Sequence, residues 1–133
     1  MPVIFQSVLW QIAVDPPWKA KQTEHCVEIN QPEGIGALHI SGSQKRNGFV
    51  ADDDTLGALK DEIPVDTECN SIQLGDFKGH YAEYVDWSTN CNWKKWIVGC
   101  QKVLIFATYH CKRGDEDLEA NQVSNILKSL RRK

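Results

Sequence analysis

No stretch of this 133-residue chain comes near the roughly 18 consecutive apolar residues that a membrane helix requires. The start does not read as a secretory leader. Met1-Pro2-Val3-Ile4-Phe5 carries no basic segment, and Gln6, Ser7, Gln11 and Asp15 interrupt the apolar run that follows. Cationic excess is missing as well. Lysine and arginine total 15 against 18 aspartates and glutamates, a formal charge of −3. A nucleic-acid binder needs a positive surface to displace condensed counterions. Neither a membrane nor a nucleic acid is therefore an expected partner, and the cytoplasm is the expected location. The one basic cluster, Lys128, Arg131, Arg132 and Lys133, suits the negative end of a terminal helix.

Close cysteine pairs are absent too. Cys26, Cys69, Cys91, Cys100 and Cys111 are odd in number and widely spaced, which fits neither a disulfide framework nor a zinc site with paired ligands. Reduced thiols are expected, with no metal and no other cofactor. One pairing stands out: a hairpin turn centred on Gly99 to Lys102 would set Cys91 nearly opposite Cys111. The dipeptides His25-Cys26 and His110-Cys111 suggest thiol chemistry, because a neighbouring imidazole promotes the thiolate. Successive strand residues point to opposite faces, however, so His110 and Cys111 cannot pair with each other. A reactive Cys111 or Cys91 would need a histidine from another strand. Asp52-Asp53-Asp54 lacks the alternate spacing and central glycine of a calcium loop and reads as a helix cap. No helix opens after Gly34-Ile-Gly36, so those glycines are not a phosphate loop.

What is present describes one globular domain spanning 1–133, with 25% charged and 41% hydrophobic residues and no repeat or linker. Val8 to Val14 reads as a strand stopped by Pro16-Pro17. Thr23 to Ile29 and Gly36 to Ser41 follow as strands. A short helix after Asp54 aligns Leu56, Leu59 and Ile63 on one face and stops at Pro64. Asn70 to Leu74 and Gly79 to Trp87 are strands, and an apolar hairpin begins at Trp93 and ends at Cys111. A long C-terminal helix is expected over 115–130, with the stripe Ala120, Val123, Ile126, Leu127 and Leu130 and acidic residues at its positive end. Short connections imply an antiparallel sheet. Val103 to Tyr109 is apolar on both faces, so that sheet should be covered on both sides. The expected fold class is α+β, a central antiparallel β-sheet flanked by helices.

Tyr81, Tyr84, Trp87, Trp93 and Trp96 concentrate on two of these strands. Alternation sets Tyr81 and Trp87 on one face, Tyr84 on the other, and Trp93 opposite Trp96. Some must be core. Tryptophan and tyrosine also dominate binding hot spots, so Tyr84, Trp87, Trp93 and Trp96 are candidate binding residues. No set of residues forms a catalytic constellation.

Asp15-Pro-Pro-Trp18, Gly34-Ile-Gly-Ala-Leu-His-Ile-Ser41, Trp93-Lys-Lys-Trp96, Phe106-Ala-Thr-Tyr-His-Cys111 and the ending Val123-x-x-Ile-Leu-x-Ser-Leu130 resemble the PsbP-like fold superfamily. That group includes the photosystem extrinsic protein, the yeast Ran-release factor, DcrB-like lipoproteins and many small bacterial proteins. The resemblance implies an α/β/α sandwich and a non-enzymatic role on a protein partner, with no catalytic motif to transfer. The expected function is a non-catalytic protein-binding module, such as a chaperone, immunity protein or regulator. Two alternatives remain open: a thiol-dependent enzyme or redox sensor using Cys111 or Cys91, and a self-associating protein whose aromatic face closes a homodimer.

Overall fold

Alternating burial along the strands organises the chain into two antiparallel sheets. The structure, a computed structural model, describes residues 2–133. Its elements are β1 (Val3–Gln6), β2 (Trp10–Val14), β3 (Lys19–Gln22), β4 (Val27–Asn30), β5 (Ala37–Gln44), α1 (Asp52–Lys60), β6 (Asn70–Leu74), β7 (Phe77–Asp86), β8 (Cys91–Cys100), β9 (Val103–Lys112), α2 (Ala120–Lys128) and β10 (Arg131–Arg132). The larger sheet runs β3-β4-β5-β9-β8-β7-β6, and the smaller runs β1-β2-β10.

β9 is the central strand of the larger sheet, as its apolar sequence requires. Its inward residues Val103, Ile105, Ala107, Tyr109 and Cys111 are all buried. On the same face lie Val27, Ile29, Leu38, Ile40, Trp96 and Val98, and the smaller sheet closes over them with Trp10, Ile12 and Val14. α2 completes this main core with Val123, Ile126 and Leu127. The opposite face carries a smaller cluster, where Leu59 of α1 packs on Ala82 and Ile97. Burial of so much aliphatic and aromatic surface is the main stabilising term.

The three-layer α/β/α sandwich is overturned. Strands make up 47% of the chain and helix 14%, a small β-rich domain with two sheets and two helices. One face of the large sheet is covered mostly by a second sheet, because Trp10, Ile12 and Val14 alternate as an amphipathic strand and can serve as a lid in place of a helix. The long C-terminal helix is overturned as well. α2 has nine residues, and 115–118 form turns.

The physical reason lies at Glu119, which is 2% exposed at the N-cap of α2. A buried carboxylate must be hydrogen-bonded. Here the Tyr109 hydroxyl donates to Oε1 at 2.7 Å, the Gly36 N–H donates to Oε1 at 3.0 Å, and the Gln31 side-chain amide donates to Oε2. Drawing Glu119 inward onto β9 turns the preceding acidic residues away from a helical path. Gly36 permits this approach, since a Cβ there would lie 2.7 Å from the Tyr109 hydroxyl. The chain after α2 does not continue as helix either: Arg131 and Arg132 pair with Gln11 and Trp10.

α1 is fixed by polar as well as apolar contacts. The N-cap is Ala51, and the aspartates form the first turn instead of preceding it. Of them Asp54, at the third helical position, accepts the Ala51 N–H at 2.7 Å and the Lys45 ammonium at 2.7 Å. Beneath it the buried Thr55 hydroxyl meets His80 Nδ1 at 2.9 Å.

Burial raises the Glu119 pKa, but the Gln31, Tyr109 and Gly36 donors outweigh it and hold the carboxyl below its ordinary 4.5. A depressed folded-state pKa contributes stability above the unfolded value and loses it as pH falls through the folded value. Urea midpoints should therefore fall on acidification below about pH 5, and fall less steeply in Glu119→Gln. Glu119→Ala strands the Tyr109 and Gly36 donors and should cost about 1–3 kcal/mol for each buried group left unpaired. Equilibrium unfolding at pH 7 measures it.

Candidate functional site

Register decides which side chains meet, because paired residues in antiparallel strands share a face. Tyr84 pairs with Trp93, Trp93 with His110, and His110 with Ala37. These residues form a row across β7, β8, β9 and β5 on the face that carries α1. The next row contains Ala82, Lys95, Thr108, His39 and Glu28. α1 lies over β7 and β8, against Ala82 and Ile97. Beyond it Tyr84, Trp93, Lys95, Thr108, His110, Ala37 and His39 are half-exposed.

Rings of these two rows stack across neighbouring strands. The Trp93 and His110 rings lie 4.4 Å apart at 20°, and His110 and His39 lie 6.3 Å apart at 9°. Lys95 Nζ sits 5.2 Å from the Trp93 ring centroid and 5.4 Å from that of Tyr84, while donating to the Glu62 carbonyl at 2.8 Å. That bond ties the chain after α1 to the exposed aromatics. His39 Nε2 lies 3.7 Å from the Glu28 carboxylate. Where the row ends at Ala37, small residues leave a cavity of about 490 Å³ lined by Gly36, Asn90, Cys91, His110 and Lys112 among others.

His110 is the chemically distinctive member. Its Nδ1 is buried without a hydrogen-bond partner. Burial holds its pKa below the ordinary 6.5, and the facing His39 imidazole pushes the same way. At neutral pH the ring is an uncharged imidazole, suited to stacking under tryptophan. Among the described residues, no group of three or more His, Cys, Asp and Glu side chains gathers as a metal site.

The expected binding residues separate. Tyr84 and Trp93 share the open face. Trp87 is 72% exposed in the turn after β7, with the Arg113 guanidinium 4.9 Å over its ring. Trp96, at 6% exposure, belongs to the main core and stacks near Tyr81 on the opposite face, so it offers no binding surface. His110 and His39 were not singled out as binding residues by the sequence, because only the register brings them beside Trp93.

All five cysteines are free. Cys91 pairs with Lys112 and Cys111 with Asn92, so the two thiols are one position out of register and on opposite faces. Cys111 is 3% exposed, and burial, then Glu116 and Asp115, push its thiol pKa up. His39, His80 and His110 all lie on the other face, leaving Cys111 without a strand histidine. Cys91 shares the face of His110, yet its thiol donates to the Thr89 carbonyl at 3.6 Å.

No protein-family model matches this chain, and no curated protein matches it. A solved structure of a protein from Bacteroides thetaiotaomicron is similar in fold, with a TM-score of 0.68 at 13% identity over 93% of this chain. The match covers 45% of that protein, so this chain spans less than half its length.

Trp96→Ala should cost about 3–5 kcal/mol of stability, and Trp93→Ala far less, as measured by urea unfolding. In an NMR titration His110 should ionise below the ordinary 6.5 of an imidazole. Trp93→Ala uncovers the ring and should move that midpoint up toward 6.5.

Proposed function

We propose that this protein is a non-catalytic binding module that engages another protein through the open half of its large sheet, with Trp93 and Tyr84 as anchors and Trp87 at the rim. One observation carries the proposal. A nine-residue α1 covers only part of the face, and the part it leaves holds an aromatic row in which Trp93 stacks on His110 and pairs across the strands with Tyr84. Such anchors lose little conformational entropy on binding, which is why buried aromatics dominate interface energetics. The neutral His110 and the Glu28–His39 pair add polar groups around an apolar centre, the usual arrangement of an interface.

A thiol-enzyme reading has less support. Cys111 is buried with a raised pKa, and Cys91 is hydrogen-bonded to a carbonyl instead of an imidazole. The face itself, and not the PsbP-like resemblance, carries the proposal, since the sandwich implied by that resemblance is not the fold observed.

The test is capture of partners from a native lysate by the tagged protein, followed by hydrogen exchange on the purified complex. Protection should appear at β7, β8 and β9 around Trp93. Trp93→Ala should weaken binding by at least about 2 kcal/mol, roughly 30-fold. Equal binding by a folded Trp93→Ala variant, or protection confined to the other sheet, would overturn the proposal.

A further inference from the structure

A sheet edge presents unpaired backbone groups, and natural proteins guard such edges with charge. Four strands form the edges of the two sheets: β1, β10, β3 and β6. β10 consists of Arg131 and Arg132, and β3 carries the exposed Lys19 and Lys21. β6 presents the exposed polar residues Asn70, Ser71 and Gln73. β1 differs. It reads Val3-Ile4-Phe5-Gln6, and no charged residue occurs in the sequence before Asp15. Val3 is 60% exposed, Ile4 51%, and Val8 in the adjoining turn 85%. Beside this edge an apolar cleft of about 380 Å³ opens between β1 and β3, lined by Val3, Phe5, Val14, Trp18 and Ala20.

The backbone of β1 also has a definite phase. The Ser7 N–H donates to the Trp10 carbonyl at 2.8 Å, closing the hairpin with β2. Inward bonding then recurs at Phe5 and Val3, which pair with Ile12 and Val14. The N–H and C=O groups of Ile4 and Gln6 point out of the sheet.

We infer that the β1 edge is a self-association surface, at which β1 of a second copy adds antiparallel about a twofold axis through Phe5. In that register Ile4 faces Gln6 of the second copy and Gln6 faces its Ile4, each pair exchanging both backbone bonds. Phe5 meets its own symmetry mate, as an isologous interface requires. A second copy suits this edge because no like charges come together across the axis, whereas either Lys19-Lys21 or Arg131-Arg132 paired with itself would be repulsive. Strand addition also seats apolar side chains of the incoming strand at the mouth of the cleft. β1 is only four residues long, so the contact is short and the dimer is reversible. This surface is separate from the aromatic face, and either can fail without the other.

Sedimentation equilibrium of the full chain across a dilution series tests it. Average mass should climb from 15.1 kDa toward twice that value with concentration. Ile4→Lys/Gln6→Lys places lysine against lysine across the axis and should stay monomeric. Ile4→Glu/Gln6→Glu should do the same, and an equimolar mixture of the two should recover the dimer. Both substituted side chains are exposed, and circular dichroism checks that each variant folds. Amide exchange at Ile4 and Gln6 in the unmodified protein should slow as concentration rises, a readout that needs no variant. Wild-type protein that stays monomeric throughout, or a folded lysine variant that associates as strongly as wild type, overturns the inference.

Discussion

A carboxylate held inside an otherwise apolar core constrains more of this molecule than any single hydrophobic contact. Glu119 draws its donors from distant parts of the sequence: the Gln31 amide, the Gly36 N–H and the Tyr109 hydroxyl. Removing any one leaves a buried polar group short of a partner, so the three segments are positioned together. The 31–36 loop is thereby laid against the end of β9, and α2 starts where its stripe can reach β2 and β6. Tyr109 is fully buried, and its phenol pKa is pushed up by burial and by the carboxylate beside it, so it stays a donor. The main core and the geometry of one end of the large sheet both follow from that arrangement.

β9 shows how one strand serves two purposes. Its odd-numbered residues are buried without exception, while Leu104, Phe106, Thr108 and His110 are only half-covered. The strand histidines have been sorted to the second face. His39, His80 and His110 all occupy it, and His80, the one lying under α1, is compensated by Thr55. α1 packs on β7 and β8 at Ala82 and Ile97, and the half-exposed aromatic row lies beyond that patch, at Tyr84 and Trp93 of the same two strands.

Much of this was legible in the sequence. The β6 strand, most of β7, the apolar hairpin, the short helix with its acidic start and the place of β9 inside the sheet all followed from period, turn chemistry and breakers. The hairpin register did not. Its loop is Gln101-Lys102, with Gln101 at a φ of 53°, and neither residue announces a tight turn as Asn-Gly or Gly would. The resulting shift of one position exchanges faces, separating Cys91 from Cys111 and bringing Trp93 to His110. The second sheet was hidden because β1 and β10 are short and distant in sequence. The overlong terminal helix has a different cause: local propensity and dipole charges favoured helix through 115–118, and the tertiary demand of Glu119 prevailed. Trp96 and Trp93 look alike in the sequence, and only strand phase distinguishes a core residue from a surface one.

The pairing of β2 with β10 also bears on how the chain folds. Ala13 N–H donates to the Ser129 hydroxyl across a sequence separation of 116, and Trp10 lies beside Arg132. Of the two strands that border β2, β1 is its neighbour in sequence, whereas β10, with α2 before it, lies more than a hundred residues further on. Until β10 and α2 dock, the hairpin of β1 and β2 has an open flank on either side and no completed core beneath it. Contacts around Trp10 therefore join segments far apart in the sequence and carry a high loop-closure cost, so they form later than the local hairpins of the large sheet.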